Sequence, residues 1–325
     1  MSARGSFRLT DALALPAHYR GAEFFAFHRR DPQGVSERID DGALHKGLLW
    51  RGRAAGLVIR LRADHAEVML DVDAASPDVA LAVSSTDVSA PIASARPDAD
   101  DQAALVLLTR RMLGLTQAVD VFENRYRGHP ELGRLIAARP GLRVPQTATP
   151  FDALTWAVTG QQISVAVAVS LRRRLIQAAG LPHSSGLICP PDAARVAALS
   201  DDTLRTAGFS TAKSATLRTL ARLVVDGALP LEHWLQTLPV DEIRAGLLAV
   251  RGIGPWTVDY ALLRGFGWLD GSLHGDVAVR GALQSLLQSP DRIDEKHTRV
   301  WLDQFSPWRA LVAAHLWASR SAMAY

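Results

Sequence analysis

The feature that most constrains this chain is the run Arg251-Gly252-Ile253-Gly254-Pro255-Trp256, set between two helical patterns. Residues 241–249 carry apolar side chains at helical spacing, and the pattern resumes after the run to about Phe266. So short a connection allows only a tight corner. Glycine at 252 and 254 permits positive φ and leaves no side chain above the turn. Pro255 suits the first turn of the next helix, where its missing N–H is harmless. The corner is predicted to present bare backbone amides at a helix N-terminus, which suits an anion such as a phosphate. A plain αα-hairpin with a glycine cap fits the same residues.

Asp276 lies 22 positions beyond Gly254, and the helical pattern Val277, Val279, Leu283, Leu286 starts right after it. It reads as an N-cap. Amides at a helix start also favour a carboxylate's ionised form. A fixed anion there suits a sugar that turns positive, or orients an attacking water. The two roles are compatible. Trp256 and Tyr260 fall one turn apart on one helical face, and Trp317 sits in PWRALVAAHLW. These aromatics read either as core or as a π-rich slot for a flipped base. His274 reads as incidental. Asp259 and Asp270 are the other nearby carboxylates, with Asp259 expected in solvent or in a salt bridge.

The first hundred residues read as strands: His45–Gly52, Gly56–Arg62 and His65–Val72, with Arg53-Ala54-Ala55 and Ala63-Asp64 as turns of an antiparallel meander. Ala74 to Asp101 is small, polar and Pro-containing, and reads as a domain edge. Helical periodicity follows in Ala103–Leu113 and Thr116–Tyr126, then a linker at Arg139–Pro150. A long helical region is expected over Phe151–Ala179, and shorter helices at about 193–206, 211–226, 231–237 and 241–249. Further helices are expected from about Val277 and near Trp308–Ser319. The expected fold class is α+β, a mainly helical body preceded by a small antiparallel β-rich domain.

Composition excludes other classes. No apolar run reaches the ~18 residues that cross a bilayer. The N-terminus has no compact apolar segment with a cleavage site, so a cytoplasmic protein is expected. One cysteine, Cys189, permits neither an internal disulfide nor a Cys-ligated cluster; it reads as a bystander. Residues 1–140 are charge-neutral, and the net +3 falls in 141–325, mostly as Arg. That bias permits a phosphate-bearing partner without requiring one.

These motifs together resemble the helix-hairpin-helix DNA glycosylases, and among them the AlkA type of 3-methyladenine DNA glycosylase. The resemblance rests on ARPGLRVP at 138–145, PFDALTWAVTGQQISVAVA at 150–168, GFSTAK at 208–213, RGIGPWTVDYALLRGFG at 251–267, GDVAVRGAL at 275–283 and PWRALVAAHLW at 307–317. It implies a β-rich domain over 1–102 and a glycosylase body over 103–325, with 151–230 inserted between 103–150 and 231–325. It implies Asp276 as the catalytic carboxylate, and Trp256, Tyr260, Trp317 and Gln161 as the base pocket. Gly252, Ile253 and Gly254 would grip DNA, with Arg251, Lys213 and Arg280 as supporting cations. A structural Na+ or K+ would sit at the backbone of Gly252 and Gly254, with no other cofactor. Gln162 falls on the plug that fills the gap left by the extruded nucleotide, where a leucine is found in AlkA-type enzymes. Bifunctional members carry a lysine where this chain has Trp256, so the resemblance implies a monofunctional enzyme acting on alkylated purines in double-stranded DNA, and a monomer is expected. A noncatalytic hairpin module, or a glycosylase for deaminated or oxidised bases, is the alternative.

Overall fold

The computed structural model describes residues 5–74 and 99–320. Most of the stretch expected to form a domain edge, 75–98, lies outside them. Strands β1 (Phe7–Ala14), β2 (Glu37–Asp40), β3 (Ala43–Trp50), β4 (Arg53–Leu61) and β5 (His65–Val72) form one sheet. Its order is β1-β5-β4-β3-β2, antiparallel throughout. The expected meander is β3 to β5. Trp50 pairs with Arg53, so the first turn is Arg51-Gly52 rather than Arg53-Ala54-Ala55. Both residues have positive φ, +48° and +78°, the geometry of a two-residue hairpin. Sequence reading missed the two edge strands. In β1 only Leu9 and Leu13 are buried, and Asp11 interrupts the alternation between them.

The helices are α1 (Gly21–His28), α2 (Ala99–Met112), α3 (Val119–Tyr126), α4 (Leu132–Ala138), α5 (Pro150–Gly160), α6 (Val165–Ala179), α7 (Ala193–Ala197), α8 (Asp201–Thr206), α9 (Thr211–Val225), α10 (Leu231–Thr237), α11 (Val240–Leu248), α12 (Pro255–Gly265), α13 (Val277–Leu286), α14 (Glu295–Asp303) and α15 (Arg309–Arg320). The helix expected over Phe151–Ala179 is broken after Gly160. Gln162 turns the chain with φ +57°, and Ser164 caps α6 by accepting from the Val167 amide. The expected helix at 193–206 also splits, because Ser200 caps α8.

Three apolar cores result. The first joins the sheet to α2 through Leu44, Leu57, Ile59, Leu105 and Met112. The second packs α5 and α6 with α7 to α12. The third gathers α3, α4 and α13 to α15, with Tyr260 and Leu263 of α12 contributing. A buried ionic cluster ties the first to the second. Glu37 of β2 accepts from His28 at 2.6 Å, Lys46 at 3.0 Å and Arg172 of α6 at 3.3 Å, and Arg172 also donates to Asp152 of α5 at 3.0 Å. Burial alone pushes the Glu37 carboxyl up, but Lys46, His28 and Arg172 outweigh it and hold it well below the usual range. Breaking such a buried set by deleting one partner costs about 3–5 kcal/mol. The sheet thereby fixes α5 and α6, whose connecting turn carries Gln161 and Gln162.

Candidate active site

The seam between the second and third cores opens as a cleft of about 880 Å3. Asp276, Trp256, Tyr260, Trp317, Gln161, Gln162, Gly252 and Gly254 all line it. Residues from positions 161 to 317 therefore converge on one cavity, as expected from sequence.

Asp276 is the N-cap of α13. Its Oδ1 accepts from the amides of Ala278 and Val279, each at 2.9 Å, and from the Trp317 indole N–H at 3.0 Å. Its Oδ2 accepts from the Trp256 indole N–H at 3.0 Å. The cap and the aromatics are thus one construction: two backbone and two indole donors fix one carboxylate at the cleft. An ionised carboxylate offers about four lone-pair sites, so Oδ1 is saturated while Oδ2 keeps acceptor capacity. The Trp256 ring stacks on Tyr260, with centroids 5.3 Å apart and planes 26° apart. Tyr260 and Trp317 are only 5% and 3% exposed. The Tyr260 hydroxyl is buried with no hydrogen-bond partner.

The other nearby carboxylates are committed elsewhere. Asp259 is buried against Arg244, and Asp270 pairs with Arg309 at 2.8 Å. His274 lies between Ser272 and Arg299.

The hairpin forms as its glycines require. Gly252 has φ +91°, and a Cβ there would lie 2.2 Å from Thr216 Oγ1. Gly254 caps α12 with an ordinary φ of −107°, and a Cβ there would meet nothing within 4 Å. One glycine is demanded by the fold; the other leaves open space over the amides. Ile253 is buried in the second core and anchors the turn, so it does not face the cleft. Gln161 donates to the Gly252 carbonyl at 2.9 Å and to Thr257 Oγ1 at 3.0 Å, bracing the hairpin against the end of α5. The Gly254 carbonyl accepts from the Val258 amide at 3.1 Å. Each carbonyl expected to hold a monovalent cation already takes one N–H and keeps a second lone pair.

The expected supporting cations separate. Arg251 is exposed on the hairpin. Lys213 donates to the Thr159 carbonyl at 2.7 Å, tying α9 to α5, and desolvation lowers its pKa. Arg280 lines a different cavity, with Glu295 at 4.0 Å.

The HhH-GPD superfamily base excision DNA repair protein family matches residues 155–306 of this chain. Residues 155–306 are thus similar to this superfamily. Escherichia coli DNA-3-methyladenine glycosylase 2 is 33% identical over 190 residues, 57% of this chain and 63% of that protein. The match thus spans less than two thirds of that relative. The solved 3-methyladenine DNA-glycosylase from Archaeoglobus fulgidus has the same fold, with a TM-score of 0.74 at 17% identity, over 95% of this chain and 98% of that one. The Schizosaccharomyces pombe 3-methyladenine DNA glycosylase Mag1, solved in complex with abasic DNA, superposes with a TM-score of 0.54 at 22% identity, over 63% of this chain and 98% of that one. Among the described residues, no helix is long and apolar enough to cross a membrane.

The sequence did not point to Trp156, Thr257, Val165 and Val277, all of which line the cleft. Trp156 lies four residues before Gly160 on α5 and meets the Arg30 guanidinium 4.9 Å from its ring centroid. Val277 reads in sequence as the first apolar residue of α13, yet it is 71% exposed at the rim. Cys189 is buried away from the cleft, and burial pushes its thiol up to about 11, consistent with an inert residue.

Proposed function

We propose that this protein is a monofunctional DNA glycosylase of base excision repair, hydrolysing the N-glycosidic bond of alkylated purines such as 3-methyladenine and 7-methylguanine in double-stranded DNA. The observation that carries the reading is Asp276 held by four N–H donors at the mouth of an aromatic cleft. The hairpin anchors a phosphate through the open amides over Gly254, with Arg251 beside it. Gln162, exposed at a left-handed turn on the rim, enters the duplex as the nucleotide rotates out. The extruded base reaches the stacked Trp256–Tyr260 pair. An alkylated purine carries positive charge, which favours π faces and makes the base a good leaving group. As the C1′–N bond breaks, the electron pair leaves with the base and the sugar becomes oxocarbenium-like. Asp276 faces that charge as a fixed anion, and water adds to C1′ and passes its proton to solvent.

The chain's lysines support the monofunctional reading. Lys213 is spent on Thr159, Lys46 is buried against Glu37, and Lys296 lies on α14, so among the described residues no amine lines the cleft to form a Schiff base. The sheet acts as a buttress for the α5–α6 turn. The reading places the domain division at 102/103, with 151–230 as an inserted helical unit, and the enzyme as a cytoplasmic monomer.

The test is chemical. Duplex DNA bearing 7-methylguanine is incubated with the protein, free bases are separated chromatographically, and the DNA is heated in alkali. Released 7-methylguanine, with breaks only after alkali, is expected. Retarded but intact DNA would sink the reading in favour of a noncatalytic hairpin module.

A further inference from the structure

The cleft shares a wall with a second cavity. Val277 and Ala278 line both. The second cavity, of about 430 Å3, lies beside the first turns of α13, and its charged lining is Arg280, Arg292 and Arg320. Among the described residues, no carboxylate lines it. Arg280 has Glu295 at 4.0 Å, and its Nε is buried with no partner. Arg292 in the α13–α14 connection and Arg320 at the end of α15 make no hydrogen bond or ion pair among the described residues. Arg320 lies directly over Gly281, where a Cβ would come within 2.2 Å of its Nη1. The absent side chain at 281 makes room for this guanidinium.

Three guanidinium groups around one small cavity repel each other unless an anion sits among them. Their planar forks match the paired oxygens of a phosphate or carboxylate, and a DNA backbone supplies phosphate. Val277, 71% exposed, forms the ridge between the two cavities, while the hairpin glycines line the cleft itself. A strand delivering a nucleotide into the cleft would cross that ridge. We infer that the arginine cavity takes a backbone phosphate of the same DNA strand, next to the extruded nucleotide and on the other side of it from the hairpin. This rests on the function proposed above. It assigns Arg292 and Arg320 to the DNA interface and gives Arg280 its phosphate.

The experiment uses the whole chain, with Arg292→Gln, Arg320→Gln, the double variant, and Arg222→Gln of α9 as a charge-matched control away from the cleft. Binding to a fluorescein-labelled 25-mer duplex, intact or bearing a tetrahydrofuran abasic analogue, is followed by anisotropy over a salt series. The double variant is expected to lose about tenfold or more in affinity for both duplexes. Its slope of log K against log salt should shrink by about 0.9 per arginine removed. Arg292→Lys and Arg320→Lys should restore the slope but only part of the affinity. Unchanged affinity and slope in a double variant that melts like the parent would overturn the inference. So would a rise in Tm with inorganic phosphate that the double variant loses while its DNA slope stays intact, since that describes a small-anion site. If the parent chain releases no base from alkylated DNA yet the double variant still loses affinity and slope, the proposed activity falls and the phosphate cavity stands.

Discussion

The indole N–H of Trp256 donates to Oδ2 of Asp276 at 3.0 Å, so the ring proposed to stack on a base also holds the carboxylate proposed to face the sugar. Stacking and charge placement are mechanically joined. Moving one side chain moves the other.

Asp276→Asn separates charge from shape. Asparagine caps a helix as well as aspartate, so Tm should change by no more than about 1 kcal/mol of stability implies. The amide brings an NH2 against the Trp256 or Trp317 N–H and removes the anion. Single-turnover release of 7-methylguanine should fall by about 10²–10³-fold or more, with binding to abasic-analogue duplex retained. Release within tenfold of the parent would remove Asp276 from the chemistry.

Trp256→Phe tests the joint itself. Phenylalanine keeps an aromatic face over Tyr260 and deletes the indole donor. The single-turnover rate should fall with little change in substrate affinity, because the lost contact positions Oδ2. Trp256→Ala should lower both. Equal losses in the two variants would mean that the N–H contributes nothing.

The hairpin glycines should respond differently. Gly252→Ala forces a Cβ into Thr216 at a φ of +91° and should destabilise the fold by more than about 1 kcal/mol, seen in urea denaturation. Gly254→Ala meets open space and should melt like the parent, while weakening duplex binding because the methyl group covers the amides. Parent-like DNA affinity in Gly254→Ala would mean that this corner does not touch the backbone.

Acid sensitivity should trace to His315 on α15, buried against Phe122 with ring centroids 5.6 Å apart. Burial first, and Arg139 next, lower its pKa to about 3. The unfolded chain takes up this proton near pH 6.5, while the folded chain refuses it down to about 3. Stability is therefore lost as pH falls from about 6.5 toward 3, by up to about 1.4 kcal/mol per unit from this group. Buried His28, also lowered by desolvation, adds the same sign. Urea midpoints at pH 7 and pH 5 should converge in His315→Asn relative to the parent; an unchanged difference would assign the acid limb elsewhere.

Local chemistry made much of this legible in the residues alone. The corner at 251–256, the cap at Asp276, the meander after Ala43 and the short capped helices all follow from glycine, proline, caps and apolar period. Edge strand β1 escaped because Asp11 breaks its alternation. The break at Gln161–Ser164 escaped because it contains neither glycine nor proline; tertiary contact holds it, through Gln161 on Gly252 and Thr257 and Lys213 on Thr159. The sequence by itself thus determined which residues bear charge, ring or bare backbone, because those are properties of single residues and short spacings. Tertiary structure alone decided that two indoles from α12 and α15 aim their N–H groups at one carboxylate, and that Arg280, Arg292 and Arg320 share a cavity with no acid among the described residues. Both depend on where separate helices pack, and packing is fixed by the whole core rather than by any local run of residues.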